Sequence, residues 1–146
     1  KVIWLRSGLY GDETDGHIDN IAAFTSKGVV TALGCKDKDD YNYEILRENI
    51  SILEHETDAH GKNLSIHVIE QPDPIFENER RLTASYINFY FVNGGLIFPI
   101  FNQKKDKIAL DAIKKIVENR KIIPIRSDRL ILGGGGIHCM TQQWPI

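Results

Sequence analysis

The feature that most narrows what this chain can fold into is an internal repeat. Residues Ile21 to Leu33, "IAAFTSKGVVTAL", read as two β-rich runs parted by Ser26-Lys27-Gly28. Residues Ile87 to Ile100, "INFYFVNGGLIFPI", repeat the idea around Asn93-Gly94, the dipeptide suited to a tight type I′ turn. A helical pattern follows each hairpin: Tyr43, Leu46, Ile50 and Leu53 share a face in the first, and Ala109, Ala112, Ile113 and Ile116 in the second. The second helix carries Asp106 near its start and Lys114, Lys115 and Arg120 near its end, matching the helix dipole. Strands over Leu64 to Ile69 and Lys121 to Ile125 complete two strand-strand-helix-strand units, spanning about residues 21–69 and 87–126. The class is α/β. Pro124 cannot donate to a ladder, so its strand is expected at a sheet edge or to end there.

A second register relates the ends of these units. "KVIWLRS" at Lys1 to Ser7 lines up with "KIIPIRS" at Lys121 to Ser127, and the same offset sets Gly16 against Gly136 and Asp19 against Cys139. Loops 6–20 and 127–143 therefore hang from equivalent strand ends, where scaffolds display functional groups. "KVIWL" itself reads as an apolar strand, and a chain that starts there without Met is expected to be a piece of something longer.

Composition removes several function classes. A net charge of -2, from 18 basic and 20 acidic residues, offers no basic field for a phosphate backbone, so nucleic acid is not an expected partner. No apolar run approaches the roughly 20 residues of a membrane-spanning helix. A cytoplasmic protein is expected, with Cys35 and Cys139 kept as thiols.

The densest polar chemistry lies in "GGGGIHCMTQQ", Gly133 to Gln143. It is not a P-loop, because no Lys-Ser/Thr follows the glycines, nor a dinucleotide fingerprint, because His138 stands where the third glycine belongs. The acidic string "GDETDGHID", Gly11 to Asp19, fails as an EF-hand: with Gly16 at the invariant glycine, Gly11 and Ala22 occupy the first and last ligand positions. A zinc site from His17, His138 and Cys139 suffers from the poor spacing of adjacent ligands. Nucleophilic catalysis remains, with a Cys as thiolate, a His moving protons, and carboxylates holding a cation. The glycines would then let substrate approach the backbone beside Cys139. A lone Cys near a His is also what a buried core thiol looks like, and the residues alone leave both readings open. His138 is expected to point away from Cys139, as neighbours in an extended chain do. His55, His60 and His67 read as surface or packing residues, and Asp37, Asp39 and Asp40 as a solvated helix entrance.

Three motifs, "GLYGDETDGHIDN", "ASYINFYFVNGG" and "GGGGIHCMTQQWP", together resemble the agmatine deiminases of the bacterial peptidyl-arginine-deiminase-like family. The resemblance implies the pentein fold, a fan of five α/β units, of which residues 1–146 would be the C-terminal portion. It implies Cys139 as nucleophile, His17 as general acid/base, Asp19 as a carboxylate on the guanidinium, and Gly136 beside the substrate, with no cofactor and no metal. The implied reaction is hydrolysis of agmatine in polyamine synthesis. Deimination of free or peptidyl arginine and a non-catalytic pentein binding module are the alternatives. The family's second guanidinium-binding carboxylate has no counterpart here, so partnership with N-terminal units or with a second copy is expected.

Overall fold

Both hairpins form where the apolar runs and turn glycines place them. The computed structural model describes residues 1–14 and 16–144. In the first unit, β1 (Ala22–Ser26) runs antiparallel to β2 (Val29–Gly34), which continues through α1 (Asn42–His55) to a parallel β3 (Ser65–Glu70). The second unit repeats this with β6 (Tyr90–Val92), β7 (Gly95–Ile100), α2 (Lys104–Ile116) and β8 (Lys121–Arg126), in sheet order β6-β7-β8. Between them lies a short hairpin, β4 (Phe76–Glu77) and β5 (Arg80–Arg81), which sequence periodicity did not signal. Its tip residues Asn78 and Glu79 both take positive φ.

β2 and β7 are the central strands, and their side chains supply much of the core, with Val30, Ala32, Leu33, Leu96 and Phe98 buried. Tyr86 stacks on Phe98 at 5.8 Å between ring centroids. Full burial of one such large side chain is worth about 1.5–3 kcal/mol. Leu46 and Leu53 of α1 and Ala109 and Ile113 of α2 turn inward, as their periodicity predicts. α2 also packs against β3 of the first unit, where Lys105 Nζ reaches Asp73 at 3.0 Å and donates to the Gln71 carbonyl at 3.3 Å. Pro124 sits in β8, an edge strand, opposite Phe98.

Three sequence expectations need correction. "KVIWL" forms no strand, because a strand needs a hydrogen-bonding neighbour and none of the described strands pairs with it; Ile3 and Leu5 pack on the core and side chains hold the rest, with Lys1 on Glu56 at 2.5 Å and the Arg6 N–H on Asn49 at 3.1 Å. The Asn93-Gly94 turn is not type I′, which needs positive φ at both central residues; only Gly94 takes it, at +73°, as Gly28 does in the first hairpin. Asp40 is not solvated. It lies in a two-toothed ion pair with Arg81, 2.8 and 2.9 Å, with its side chain 5% exposed, and also accepts from the Asn42 N–H and the Gln71 amide. Burial alone would raise the Asp40 carboxyl, but these donors, Arg81 foremost, hold it below the usual carboxylate range.

Among the described residues no helix is long and apolar enough to cross a membrane.

Candidate active site

Two polar loops meet at one end of the paired units. The first is closed at its base by a backbone crossing of Gly8 and Gly16: a Cβ on Gly8 would overlap the Gly16 Cα and lie 2.9 Å from its nitrogen. Within the loop, Asp12 Oδ1 accepts from the Thr14 N–H at 2.9 Å and its hydroxyl at 2.6 Å, and Glu13 pairs with Arg80. Asp12 therefore shapes the loop, while Asp15 lies outside the described residues. The chain then makes a 3₁₀ turn over Ile18–Asn20, which presents Asp19 and buries Asn20.

The second loop spends its glycines one by one. Gly134 caps the 3₁₀ turn Leu130–Gly133 at φ +87°, a conformation that a side chain would strain. A Cβ on Gly135 would stand 3.0 Å from that of Cys139. On Gly136, which is buried, it would overlap the Asn88 side chain, 2.7 Å from its Cγ. Gly136 thus admits Asn88. A final 3₁₀ turn, His138–Met140, carries the cysteine. The offset that sets Asp19 against Cys139 maps one 3₁₀ turn onto the other residue for residue.

Asn88 locks the two loops together. Its Nδ2 donates to Asn20 Oδ1 at 3.0 Å and lies 3.3 Å from Cys139 Sγ, while its Oδ1 accepts the His138 N–H at 2.8 Å. Asn20 is held in turn by Ser85, whose hydroxyl donates to its carbonyl at 2.7 Å. Asp19 Oδ2 then receives His138 Nδ1 at 2.8 Å and Cys139 Sγ at 3.4 Å. The Asp19 side chain is 14% exposed, and its Oδ1 is buried without a hydrogen-bond partner among the described residues. Nearly all buried polar atoms find a partner, so this oxygen is disposed to receive a donor from a ligand. Cys139 is exposed and both cysteines are free.

The structure brings Asp19, Cys139 and Gly136 together. His17 is exposed at the start of the Ile18–Asn20 turn, and no hydrogen bond from its ring is found among the described residues. His138, expected to turn away from Cys139, turns to the same carboxylate instead. That expectation assumed extended chain; in a 3₁₀ turn successive side chains do not alternate across a strand. Asn20 and Asn88 went unread, although both lie inside the motifs that carry the resemblance, each at the end or start of an apolar run where a buried amide must be satisfied. His55, His60 and His67 are exposed and distant in role from this cluster. Among the described residues no group of three or more His, Cys, Asp or Glu is placed to hold a metal ion.

Beside Asp19 opens a cleft of about 300 Å³, lined among others by Ile18, Ala22, Phe24, Phe91 and His138. A second apolar cavity of about 340 Å³ shares Ile18, Ala22 and Phe24 with it. Ile18 and Phe24 are 56% and 60% exposed, so the flank of the site is a wide apolar face.

Both the sequence and the fold have known relatives. The sequence profile of the Porphyromonas-type peptidyl-arginine deiminases matches residues 1–145. A Legionella pneumophila (strain Paris) protein provisionally named agmatine deiminase is 46% identical over 146 residues, covering 99% of this chain and 42% of its own length. The agmatine deiminase of Pseudomonas syringae pv. syringae is 37% identical over 163 residues, covering 99% and 44%. The solved structure of the Enterococcus faecalis agmatine deiminase superposes with a TM-score of 0.93 at 30% identity, covering 99% of this chain and 44% of that one. The chain thus spans less than half the length of these relatives, and the two units described above are part of their pentein fold.

Proposed function

Because this chain belongs to the Porphyromonas-type peptidyl-arginine deiminase family, we propose that the whole protein hydrolyses agmatine to N-carbamoylputrescine and ammonia through a covalent cysteine intermediate. The observation that carries the reading is Asp19, a carboxylate 3.4 Å from the Cys139 sulfur with one buried oxygen that meets no partner among the described residues. A planar guanidinium offers N–H groups to such an oxygen. The Asn88 amide complements negative charge on sulfur, while an uncompensated Asp19 opposes it; a cation seated on Asp19 removes that opposition.

Cys139 thiolate then attacks the guanidinium carbon, forming a C–S bond and a tetrahedral adduct. One C–N bond breaks as His17 passes a proton to departing ammonia. A water deprotonated by His17 adds to the same carbon, the C–S bond breaks with its electrons returning to sulfur, and the carbamoyl product leaves. Gly136 keeps the backbone beside the reacting carbon free of side chain. No cofactor enters this scheme. We place the reaction in polyamine synthesis in the cytoplasm. The far edge of the guanidinium is to be held by a second carboxylate from another part of the same protein or from a second copy, seated on the apolar face around Ile18 and Phe24.

Deimination of free or peptidyl arginine is the second reading, favoured by the family's own description. The test is turnover by the whole protein on agmatine, arginine and an arginine peptide. Agmatine is expected to be preferred, and Cys139→Ser to lose a thousandfold or more, on the order seen when a covalent nucleophile is removed. Strong preference for the peptide would overturn the substrate, and undiminished turnover by the variant would overturn the mechanism.

A further inference from the structure

We propose that His138 is a positioning residue for this reaction: by tethering one oxygen of Asp19 it leaves the other free, in a fixed place, for the guanidinium. The inference rests on the reading of Asp19 as the guanidinium carboxylate. An ionised carboxylate only accepts hydrogen bonds, so the proton in the 2.8 Å contact belongs to His138 Nδ1. The contact engages Oδ2, and Oδ1 stays buried with no hydrogen-bond partner among the described residues. A carboxylate held at neither oxygen swings about its χ angles; one held at a single oxygen has its second oxygen aimed.

His138 is well built for that duty because its backbone cannot drift. Its N–H is shared by Asn88 Oδ1 and the Asn88 carbonyl, at 2.8 and 3.3 Å, and its own carbonyl accepts the Thr141 hydroxyl at 2.9 Å and the Thr141 N–H at 3.1 Å. The ring is half-exposed, with Tyr90 tilted against it at 6.4 Å between centroids. A side chain kept only for packing would not need its nitrogen on the carboxylate. Adjacent residues of one 3₁₀ turn therefore serve one carboxylate, Cys139 as the attacking group and His138 as the tether.

The test compares alkylation of Cys139 by cationic 2-chloroacetamidine and neutral 2-chloroacetamide in the whole protein, each read at the Cys139 peptide by mass spectrometry. The ratio of the two rates reports how well Asp19 holds a planar cation and does not depend on turnover. In the native protein the amidine is expected to react much faster. His138→Ala should lower the ratio about tenfold, the scale of one hydrogen bond to a charged group. His138→Asn, whose amide nitrogen stands close to where Nδ1 stands, should restore most of it. KM for agmatine should rise in His138→Ala by a similar factor with kcat moving less. Thermal unfolding in the same samples shows whether a variant folds, and His138→Asn keeps the test alive if His138→Ala does not. An unchanged ratio in folded His138→Ala overturns the proposal, and so does a fall that His138→Asn fails to rescue. A native ratio near one overturns Asp19 as the cation site, and the proposed function with it. A ratio that behaves as expected in a protein that does not turn over agmatine upholds the tether and overturns only the substrate.

Discussion

Each unit buries one carboxylate at the entrance of its helix, and the two are satisfied by different means. Asp40, just before α1, meets the Arg81 guanidinium through two short contacts. Asp106, in the first turn of α2, meets no cation among the described residues; it accepts the Tyr86 hydroxyl at 2.7 Å, the Phe101 N–H at 3.0 Å and the Gln103 N–H at 2.9 Å, the last as half of a capping box. Burial and the Asp106 contact together push the Tyr86 hydroxyl far above the usual phenol range, so it serves as a donor throughout the working range. The second unit solves the problem locally, with partners no more than 20 residues away. The first recruits an arginine 41 residues on, from the β4–β5 hairpin that also holds Glu13 of the site loop. One helix entrance is self-contained, whereas the other is a fastening between unit, hairpin and site.

Removing the partner should separate the two most sharply. Arg81→Ala leaves Asp40 as a buried charge without its cation, which is expected to cost about 3–5 kcal/mol in urea unfolding. The loss should also reach the site through the freed hairpin. Asp106→Ala leaves no orphan charge but strands a buried Tyr86 hydroxyl and uncaps α2, for about 2–3 kcal/mol by the same measurement. Equal losses from the two variants would erase the distinction between ionic and hydrogen-bonded burial. The smallest effect is confined to acid. Because the folded Asp40 carboxyl lies below its unfolded value, its stabilisation is present above the ordinary carboxylate range of about 4 and is lost as pH falls through the folded value. Stability measured against pH should show that acid limb in the native protein and lose it in Arg81→Ala. Persistence of the limb in the variant would assign it to other carboxylates.

The same contrast explains what the sequence made legible. The hairpins of the two units and both helices depend on residues close in sequence, and periodicity with turn glycines found them, whereas the β4–β5 hairpin carried no such signal. The offset between strand ends even superposed the turns bearing Asp19 and Cys139, because repeated units repeat their loop geometry. Asp40 was misread as solvated because its partner is remote, and "KVIWL" as a strand because a ladder needs a neighbour that composition cannot supply. His138 was misjudged for a subtler reason. Its direction depends on whether three residues run extended or turn, and the neighbouring glycines permit either; the choice is made by Asn88, which is far away in sequence and packs against Gly136. The oxygen left open on Asp19 could not be read at all, since it is a property of two loops meeting across Asn88.

The crossing of Gly8 over Gly16 separates variation from precision. With the loop tied off at its base, Leu9 anchored in the core and Asp12 shaping the turn, exposed positions such as Tyr10 and Glu13 can be exchanged while the turn that aims Asp19 begins from the same knot each time. A binding protein built on this scaffold could have those exposed positions randomised to read the distant end of a guanidinium compound, with the cation-holding carboxylate inherited unchanged. The two glycines themselves are the positions a library should leave alone.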